Sequence, residues 1–243
     1  MSKTAGIVVI GNEILSGRTR DENTDYFLRE LRDLGIDVRK VSIIPDDLDS
    51  IRAEVRSFTG CYDYVFTSGG VGPTHDDVTI KGIASAFKRG VYRHHELEAM
   101  LRGYYQESVT EATLRMADVP EGAFLVRRGK MWFPVVAVEN VYIFPGVPEI
   151  LAAKFERIKE MFRQDPYFVR EIYLKEDEGL IADILYQFVD RFPELLLGSY
   201  PTFDNPDYMV KLTLESKDQS YLDNAHQSLI DSLSAQSISP LRV

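Results

Sequence analysis

Short apolar runs alternate with amphipathic helical patterns through the first 90 residues. Thr4–Ile10 is a continuous run rich in β-branched residues, as expected for a strand that is buried on both faces. Similar runs over 38–44 and 62–67 are each followed by a segment whose apolar residues recur at helical spacing. Strands separated by helices favour a parallel sheet with right-handed crossovers. We therefore expect an α/β domain at the start of the chain.

The pattern continues to about residue 162 and changes near Gln164-Asp165-Pro166. Before this point we predict helical structure over 94–117, short strands near 123–127, 135–138 and 141–144, and a helix over 150–162. After it we predict strands over 169–174 and 208–214, helices over 179–189 and 218–233, and a proline-containing turn over 199–207. The sequence thus predicts two domains, an α/β domain over residues 1–166 and a small α+β domain over residues 167–243.

A glycine-rich loop follows the third predicted strand. It reads Ser68-Gly69-Gly70-Val71-Gly72-Pro73-Thr74-His75-Asp76-Asp77, and a helix is predicted from about Val78. Glycines let backbone N–H groups surround an anion, and a helix N-terminus adds the positive end of its dipole. The two aspartates would repel a bare phosphate, so they indicate a divalent cation between carboxylate and phosphate oxygens. On pattern alone a simple tight turn stays open as an alternative. Asp76 could also be the helix N-cap, which leaves Asp77 for metal or acid–base chemistry.

Three other predicted loops also follow strands. Gly11-Asn12-Glu13 follows the first strand, Asp46 and Asp47 follow the second, and 145–148 follows the last strand before residue 150. Ligands of parallel sheets bind at the carboxyl ends of the strands, so we expect these loops to line one crevice with the glycine loop. Each carboxylate has a structural alternative: Glu13 as a solvated side chain, and Asp46 or Asp47 as a helix N-cap.

Composition limits the partners of the chain. Its 243 residues include 28 basic and 38 acidic side chains, a formal net charge of −10, so we expect no nucleic-acid partner. Apolar runs are too short for a spanning helix or a signal peptide, which predicts a cytoplasmic protein with no membrane partner. Cys61 is the only cysteine, which excludes a disulfide framework and a cysteine-based zinc site.

Taken together, these segments resemble the molybdopterin-binding domain family of MoaB-like and MogA-like proteins. The resemblance rests on residues 10–19, Asn23, 44–47, 68–79 and 145–148. Within the family, the chain is most similar to the amino-terminal part of the competence-damage-inducible CinA proteins and to the related segment of FAD synthases. Residues 198–201 and 210–214 resemble the small KH-like domain that follows in CinA.

The resemblance implies a fold, an activity and a set of site residues. The fold is a three-layer α/β/α domain with a mostly parallel sheet, followed by a small α+β KH-like domain, in a homo-oligomer. The activity is metal-dependent hydrolysis of a diphosphate-linked adenine nucleotide, ADP-ribose or FAD, to AMP and a phosphorylated product, with Mg²⁺, Mn²⁺ or Co²⁺. The implied catalytic residues are Asp46, Asp77 and Glu13, and the implied metal ligands are Asp76 and Asp77. The implied phosphate- or nucleotide-binding residues are Gly11, Asn12, Ser68, Gly69, Gly70, Gly72, Pro73, Thr74, Pro145 and Gly146.

Two alternatives stay open. The first is a molybdopterin adenylyltransferase, or another molybdopterin-binding protein of cofactor biosynthesis. The adenylyltransferases carry an Asn-Pro-x-Gly type of segment where this chain has the basic and aromatic stretch 126–134, in which Arg127, Arg128 or Lys130 could grip phosphates. The second alternative is a non-catalytic sensor of a nucleotide or pterin. Because the chain ends after the small domain, we do not expect the carboxy-terminal nicotinamide-nucleotide deamidase activity of CinA.

Overall fold

The computed structural model describes residues 2–129 and 131–241. The chain divides into two compact units, Met1–Gln164 and Asp165–Val243. Each unit has its own buried apolar core. Among the described residues, no helix combines the length and the apolar character that crossing a bilayer requires.

The first unit alternates strands and helices along the chain. Its strands are β1 Thr4–Ile10, β2 Asp37–Ile44, β3 Tyr64–Ser68, β4 Val91–Arg93, β5 Asp118–Pro120, β6 Phe124–Val126, β7 Val135–Val138 and β8 Val141–Phe144. Its α-helices are α1 Asn12–Leu15, α2 Asn23–Asp33, α3 Leu48–Cys61, α4 Thr79–Ala86, α5 His95–Tyr105, α6 Glu111–Leu114 and α7 Pro148–Ile158. Short 3₁₀ turns follow α5, α6 and α7.

Six strands of the first unit form one sheet in the order β2-β1-β3-β8-β7-β6. The first four of these run parallel, and β7 and β6 run antiparallel to them. β1 lies inside the sheet and contributes to the apolar cores on both faces, which explains why its residues from Ala5 to Ile10 are buried and apolar apart from Gly6. The mostly parallel sheet expected from the sequence is confirmed.

Helices cover both faces of this sheet, so the unit has three layers. One core contains Phe27 and Leu31 of α2 together with Phe155 of α7. The core on the opposite face contains Ile51 of α3 and Ile83 of α4 together with residues of α5. The apolar stripes predicted for these helices therefore bury against the sheet, and each large side chain removed from water stabilises the fold by roughly 1.5–3 kcal/mol.

The first unit differs from the sequence-based prediction in three places. β4 and β5 pair as a separate two-stranded ribbon that the short sequence segments did not reveal. The helix predicted over 94–117 breaks after Tyr105, where Gln106 adopts a φ of 47° that an α-helix does not allow. The predicted final helix ends at Ile158 and continues as the 3₁₀ turn Lys159–Phe162.

The second unit is a three-stranded antiparallel sheet with two helices. Its strands are β9 Phe168–Leu174, β10 Leu196–Pro201 and β11 Val210–Ser216, and its helices are α8 Glu178–Arg191 and α9 Gln219–Ala235. The strand order is β10-β11-β9. The turn predicted from residue 199 was wrong in its first part, because Ser199 to Pro201 belong to β10. This strand lies at the edge of the sheet, where a terminal proline is tolerated.

Candidate functional site

Four loops meet at one edge of the large sheet, where β1, β2, β3 and β8 end. Gly11 follows β1, and its N–H donates to Ile44 O at the end of β2 (3.1 Å). Gly69 follows β3, and its N–H donates to Phe144 O at the end of β8 (3.2 Å). The structure therefore brings together the loops that begin at Gly11, Pro45, Gly69 and Pro145. This is the edge at which open parallel sheets bind their ligands.

The glycine loop passes directly against the end of β1. Gly69 has a φ of 104° and Gly70 a φ of 63°, a region that residues with a side chain rarely adopt. A Cβ at Gly69 would lie 2.0 Å from Ile10 O, which is sterically impossible without moving the backbone. On its other side, Gly69 lies next to Gly146, whose added Cβ would be 3.4 Å from Gly69 Cα. Glycine at position 69 is therefore required by both conformation and space.

Thr79 fastens the glycine loop to α4. Its side chain is fully buried, its hydroxyl donates to Gly69 O (2.9 Å), and its N–H donates to Gly70 O (3.1 Å). α4 begins at Thr79 after Val78, with no side-chain cap. The alternative in which Asp76 caps this helix was therefore wrong. The first N–H of the helix, that of Thr79, donates to the Gly70 carbonyl oxygen instead.

Asp77 closes the glycine loop on itself. Its Oδ1 accepts from the Gly72 N–H (2.7 Å), and its Oδ2 accepts from the Thr74 N–H (2.7 Å) and hydroxyl (2.5 Å). Two of the groups expected to hold phosphate, the Gly72 N–H and the Thr74 hydroxyl, thus face a carboxylate of the loop itself. Converging backbone N–H groups favour an anion, and Asp77 supplies one.

Asp76 shares the Thr74 hydroxyl with Asp77. Asp76 Oδ1 lies 2.6 Å from the Thr74 hydroxyl oxygen, and this hydrogen bond lowers the pKa of the exposed Asp76 carboxyl. A threonine hydroxyl has one proton, so it donates to only one of the two carboxylates at a time. Asp76 therefore has fewer contacts with the loop than Asp77.

Asp46 and Asp47 have different environments. Asp47 is the N-cap of α3, where it accepts from the Ser50 N–H (2.8 Å), and this bond lowers the pKa of its carboxyl. Asp46 Oδ2 accepts from the Asn12 N–H (2.7 Å), and Asp46 Oδ1 lies 3.5 Å from the position of a Cβ built on Gly70. The carboxylate of Asp46 therefore lies between the first loop and the glycine loop.

Glu13 lies beside the same edge. It belongs to α1, a single helical turn, and its side chain is exposed. Its carboxylate folds back over Gly11, because a Cβ at Gly11 would be 2.6 Å from Glu13 Oε1. Three carboxylates were predicted to be catalytic. Asp46 lies between the first loop and the glycine loop, Glu13 lies over Gly11, and Asp77 lies within the glycine loop.

Asn23 connects three elements of the site, a role that the sequence reasoning did not assign. The residue is 7% exposed, and its Nδ2 donates to Ser68 Oγ and to Gly146 O, both at 2.8 Å. It therefore joins the start of α2 to the ends of β3 and β8. Its Oδ1 has no hydrogen-bond partner among the described residues. An amide at the start of an apolar helix face was the available signal.

The basic and aromatic stretch 126–134 is only partly available to a ligand. Arg127 is exposed but pairs with Glu96 (2.7 Å), Arg128 is exposed, and Lys130 lies outside the described residues. Trp132 is half exposed and contacts the ring of Tyr104, with 4.6 Å between centroids. Trp132 therefore presents ring surface to solvent.

Lys154 holds the end of this stretch through hydrogen bonds to its backbone. Its Nζ donates to Phe133 O (2.6 Å) and Pro134 O (3.0 Å), and burial lowers the pKa of its ammonium group to about 8. The lysine lies in α7 at helical spacing from the buried Leu151 and Ile158. A cation within an apolar stripe was the sequence signal that could have identified it.

No preassembled metal centre is found in the described parts of the chain, where no three histidine, cysteine, aspartate or glutamate side chains gather as ligands. This arrangement still fits Mg²⁺, which one or two carboxylates and the substrate phosphates typically hold together. Asp46 offers a carboxylate next to the glycine loop, where such phosphates would lie. A divalent ion would then bind together with its substrate.

Comparison with known proteins finds a matching family model for each unit. A family model described as "Probable molybdopterin binding domain" matches residues 6–164. A second model, described as "FAD synthase, middle domain", matches residues 166–242.

Individual relatives extend over most of the chain. A protein named "Probable FAD synthase" from Caenorhabditis elegans is 34% identical over 93% of this chain and 49% of its own length. The chain thus spans about half the length of this relative. A "CinA-like protein" from Thermotoga maritima is 27% identical over 94% of this chain and 58% of its own. Among solved structures, a Thermoplasma acidophilum protein titled CinA, with unknown function, is 32% identical with a TM-score of 0.61, covering 66% of this chain and 98% of that one.

Proposed function

The chain belongs to the molybdopterin-binding domain family, and from that premise we propose that it is a divalent-metal-dependent nucleotide pyrophosphatase. Its substrate would join AMP to a second phosphate group, as FAD and ADP-ribose do. The name of the Caenorhabditis elegans relative and the match of the second unit to the middle domain of FAD synthase support an FAD-related substrate. ADP-ribose stays in the proposal because the chain also resembles CinA-like proteins.

The observation that carries the proposal is the position of Asp46. Its carboxylate is fixed by the Asn12 N–H and lies beside Gly70, where the glycine loop bends at the carboxyl edge of the sheet. A carboxylate at the carboxyl edge of a parallel sheet, beside a glycine that leaves room for a ligand, suits a phosphate chain accompanied by a cation. Neither the carboxylate alone nor the glycine loop alone would favour hydrolysis of a diphosphate.

Each residue of the site has a proposed part in the reaction. Backbone groups of Gly11, Gly69 and Gly70 line the place for the diphosphate, and Asp77 keeps the glycine loop in its shape. Asp46 would hold a divalent ion, which when bound would neutralise phosphate charge and make phosphorus more electrophilic. Glu13 orients a water molecule and takes its proton as the oxygen attacks phosphorus. The bridging P–O bond then breaks, which gives AMP and FMN from FAD, or AMP and ribose 5-phosphate from ADP-ribose.

Product analysis by chromatography tests this proposal. The pure protein is incubated with FAD, ADP-ribose, NAD or diadenosine diphosphate, each with Mg²⁺, Mn²⁺ or Co²⁺ and with a chelator control. We expect AMP from at least one substrate with metal and none with the chelator. AMP formation that the Asp46→Asn variant retains in full would remove Asp46 from the mechanism. No AMP from any combination would overturn the pyrophosphatase.

A second candidate is nucleotidyl transfer to a pterin. Two observations favour it: the family model names molybdopterin, and the ring of Trp132 is half exposed and supported by Tyr104. Incubation with molybdopterin and Mg-ATP would then yield an adenylylated pterin and pyrophosphate. Tight binding of a nucleotide or pterin without any product would instead identify a ligand sensor.

A further inference from the structure

A basic cavity opens between α3 and α4, away from the four loops of the candidate site. Its volume is about 530 Å³. It is lined by two arginines of α3, by residues of α4 and by the segment that follows α4. The charged and hydroxyl side chains among them are Arg52, Arg56, Lys81, Ser85, Lys88 and Arg89. No loop residue of the candidate site lines this cavity.

The cations in this cavity outnumber their partners. Arg52 pairs with Asp49, and Arg89 pairs with Glu139. Within the described parts of the chain, Arg56, Lys81 and Lys88 have no ion pair, and none of the residues lining the cavity is acidic. Arg52 and Arg56 are four residues apart on one face of α3, where like charges repel. A bound anion would relieve that repulsion.

The surrounding charge makes this concentration of cations unusual. The whole chain has a formal net charge of −10, yet five positive side chains converge on one concave surface. Their fields add within the cavity and raise the local concentration of anions. Arginine forks bind phosphate oxygens in pairs, lysines act as point charges, and the Ser85 hydroxyl can donate a further hydrogen bond.

We propose that this cavity binds a compact anion carrying two or more phosphate groups. Its volume lies within the range of small-molecule sites, about 300–1,000 Å³. A long nucleic acid would extend beyond the cavity onto a chain whose net charge repels it, whereas a short phosphate chain stays among the cations. The ligand could be inorganic or the phosphate tail of a nucleotide, because both present the same chemistry to the five side chains.

Calorimetric titration with inorganic triphosphate, at low salt and with chelator present, tests the proposal. The test variant is Arg56→Gln/Lys88→Gln, and the charge-matched control is Arg29→Gln/Lys175→Gln. Arg29 lies on α2 at the opposite face of the sheet, and Lys175 is an exposed residue of the second unit. We expect the test variant to bind triphosphate about tenfold or more weakly than the wild type, because it loses two charge-assisted contacts. The control should bind as the wild type does.

Three outcomes would overturn the proposal. Equal binding by the test variant and the wild type would place the anion elsewhere, for example at the glycine loop. Equal weakening by both double variants would reveal a general charge effect. Tighter binding of a single-stranded oligonucleotide than of triphosphate, lost in the test variant, would identify a nucleic-acid surface instead.

A competition experiment distinguishes the two sources of the phosphate chain. If ATP displaces triphosphate with similar affinity, the phosphates alone are recognised; if ATP binds much more tightly, the cavity also contacts the nucleoside. Neither result depends on AMP release, so the titration tests the cavity independently of the proposed pyrophosphatase activity.

Discussion

The Asn12 N–H donates a hydrogen bond to Asp46 Oδ2 over 2.7 Å, and this bond joins the end of β1 to the end of β2. It holds the Asp46 carboxylate beside the glycine loop. The next residue, Asp47, turns the other way and caps α3. Two adjacent aspartates thus have separate roles, which makes each the natural control for the other.

The Asp46→Asn and Asp47→Asn variants should therefore differ in activity but not in stability. Asparagine keeps an oxygen that accepts from the Asn12 N–H at position 46, and it is as good an N-cap as aspartate at position 47. We expect Asp46→Asn to lower kcat roughly 10²-fold or more, because the carboxylate would hold the cation that neutralises charge in the transition state. AMP release and denaturant unfolding measure both effects. Equal kcat values for the two variants would contradict the assignment.

The Asp77→Ala variant should loosen the glycine loop. Its carboxylate accepts from the N–H groups of Gly72 and Thr74, which would then be left without a partner. We expect the amide protons of both residues to exchange faster with solvent, as measured by NMR. Asp76→Ala serves as the control, because the Asp76 carboxylate accepts from the Thr74 hydroxyl and not from the N–H groups of Gly72 and Thr74. Unchanged exchange in Asp77→Ala would show that the loop keeps its shape without this carboxylate.

Replacing Asn23 with alanine should destabilise the first unit by about 1–3 kcal/mol, because the buried Ser68 hydroxyl and the Gly146 carbonyl each lose a donor. Trp132 is the only tryptophan of the sequence and lies in the first unit, so its fluorescence follows unfolding of that unit in urea. The exposed Asn224 of α9 provides the control variant Asn224→Ala. A loss in Asn23→Ala no larger than in this control would contradict the cross-linking role.

Lys154 should make the stability of the first unit depend on pH. Its pKa is about 8 in the folded protein and 10.5 ordinarily, so between these values the unfolded chain binds more protons. The contribution of Lys154 to the free energy of unfolding therefore rises with pH through this window, by at most about 3 kcal/mol.

The Lys154→Met variant removes this titration while keeping an unbranched side chain. We compare the free energy of unfolding of the variant with that of the wild type at each pH, using Trp132 fluorescence in urea. This difference should favour the variant more at pH 7.5 than at pH 10. Lys81→Met, which changes an exposed lysine, serves as the control for the substitution itself. A constant difference between Lys154→Met and the wild type at all pH values would show that Lys154 keeps an ordinary pKa.

Much of the first unit could be predicted because burial dictates its sequence pattern. β1 is apolar along its length because both of its faces pack against buried cores, and the stripes of α2 and α3 follow from packing on one side only. The short ribbon of β4 and β5 gave no signal, because three residues are too few to show a period. β10 escaped prediction because its glycine and proline resemble a turn.

The site was predictable in its location but not in its hydrogen bonds. Residue types and strand ends indicate where Asp46 and Gly69 lie, since the carboxyl ends of parallel strands share an edge. Which groups Asp77 accepts from depends on the three-dimensional path of the glycine loop. The contacts of Asn23 join residues more than a hundred positions apart. Such contacts leave no local pattern in the sequence.

The order of the strands also determines when the site can form during folding. The pairings of β1 with β2 and β3 join strands that are consecutive in the chain. The pairing of β3 with β8 joins distant residues, for example Val65 and Val141. Closing so long a loop is slow, so we expect the side of the site built from Gly11 and Asp46 to form before the side built from Gly146. Pulse-labelling hydrogen exchange should protect the Val8 amide before that of Phe144, and the reverse order would refute this. A newly folding chain would then pass through a stage in which only half of the candidate site has been assembled.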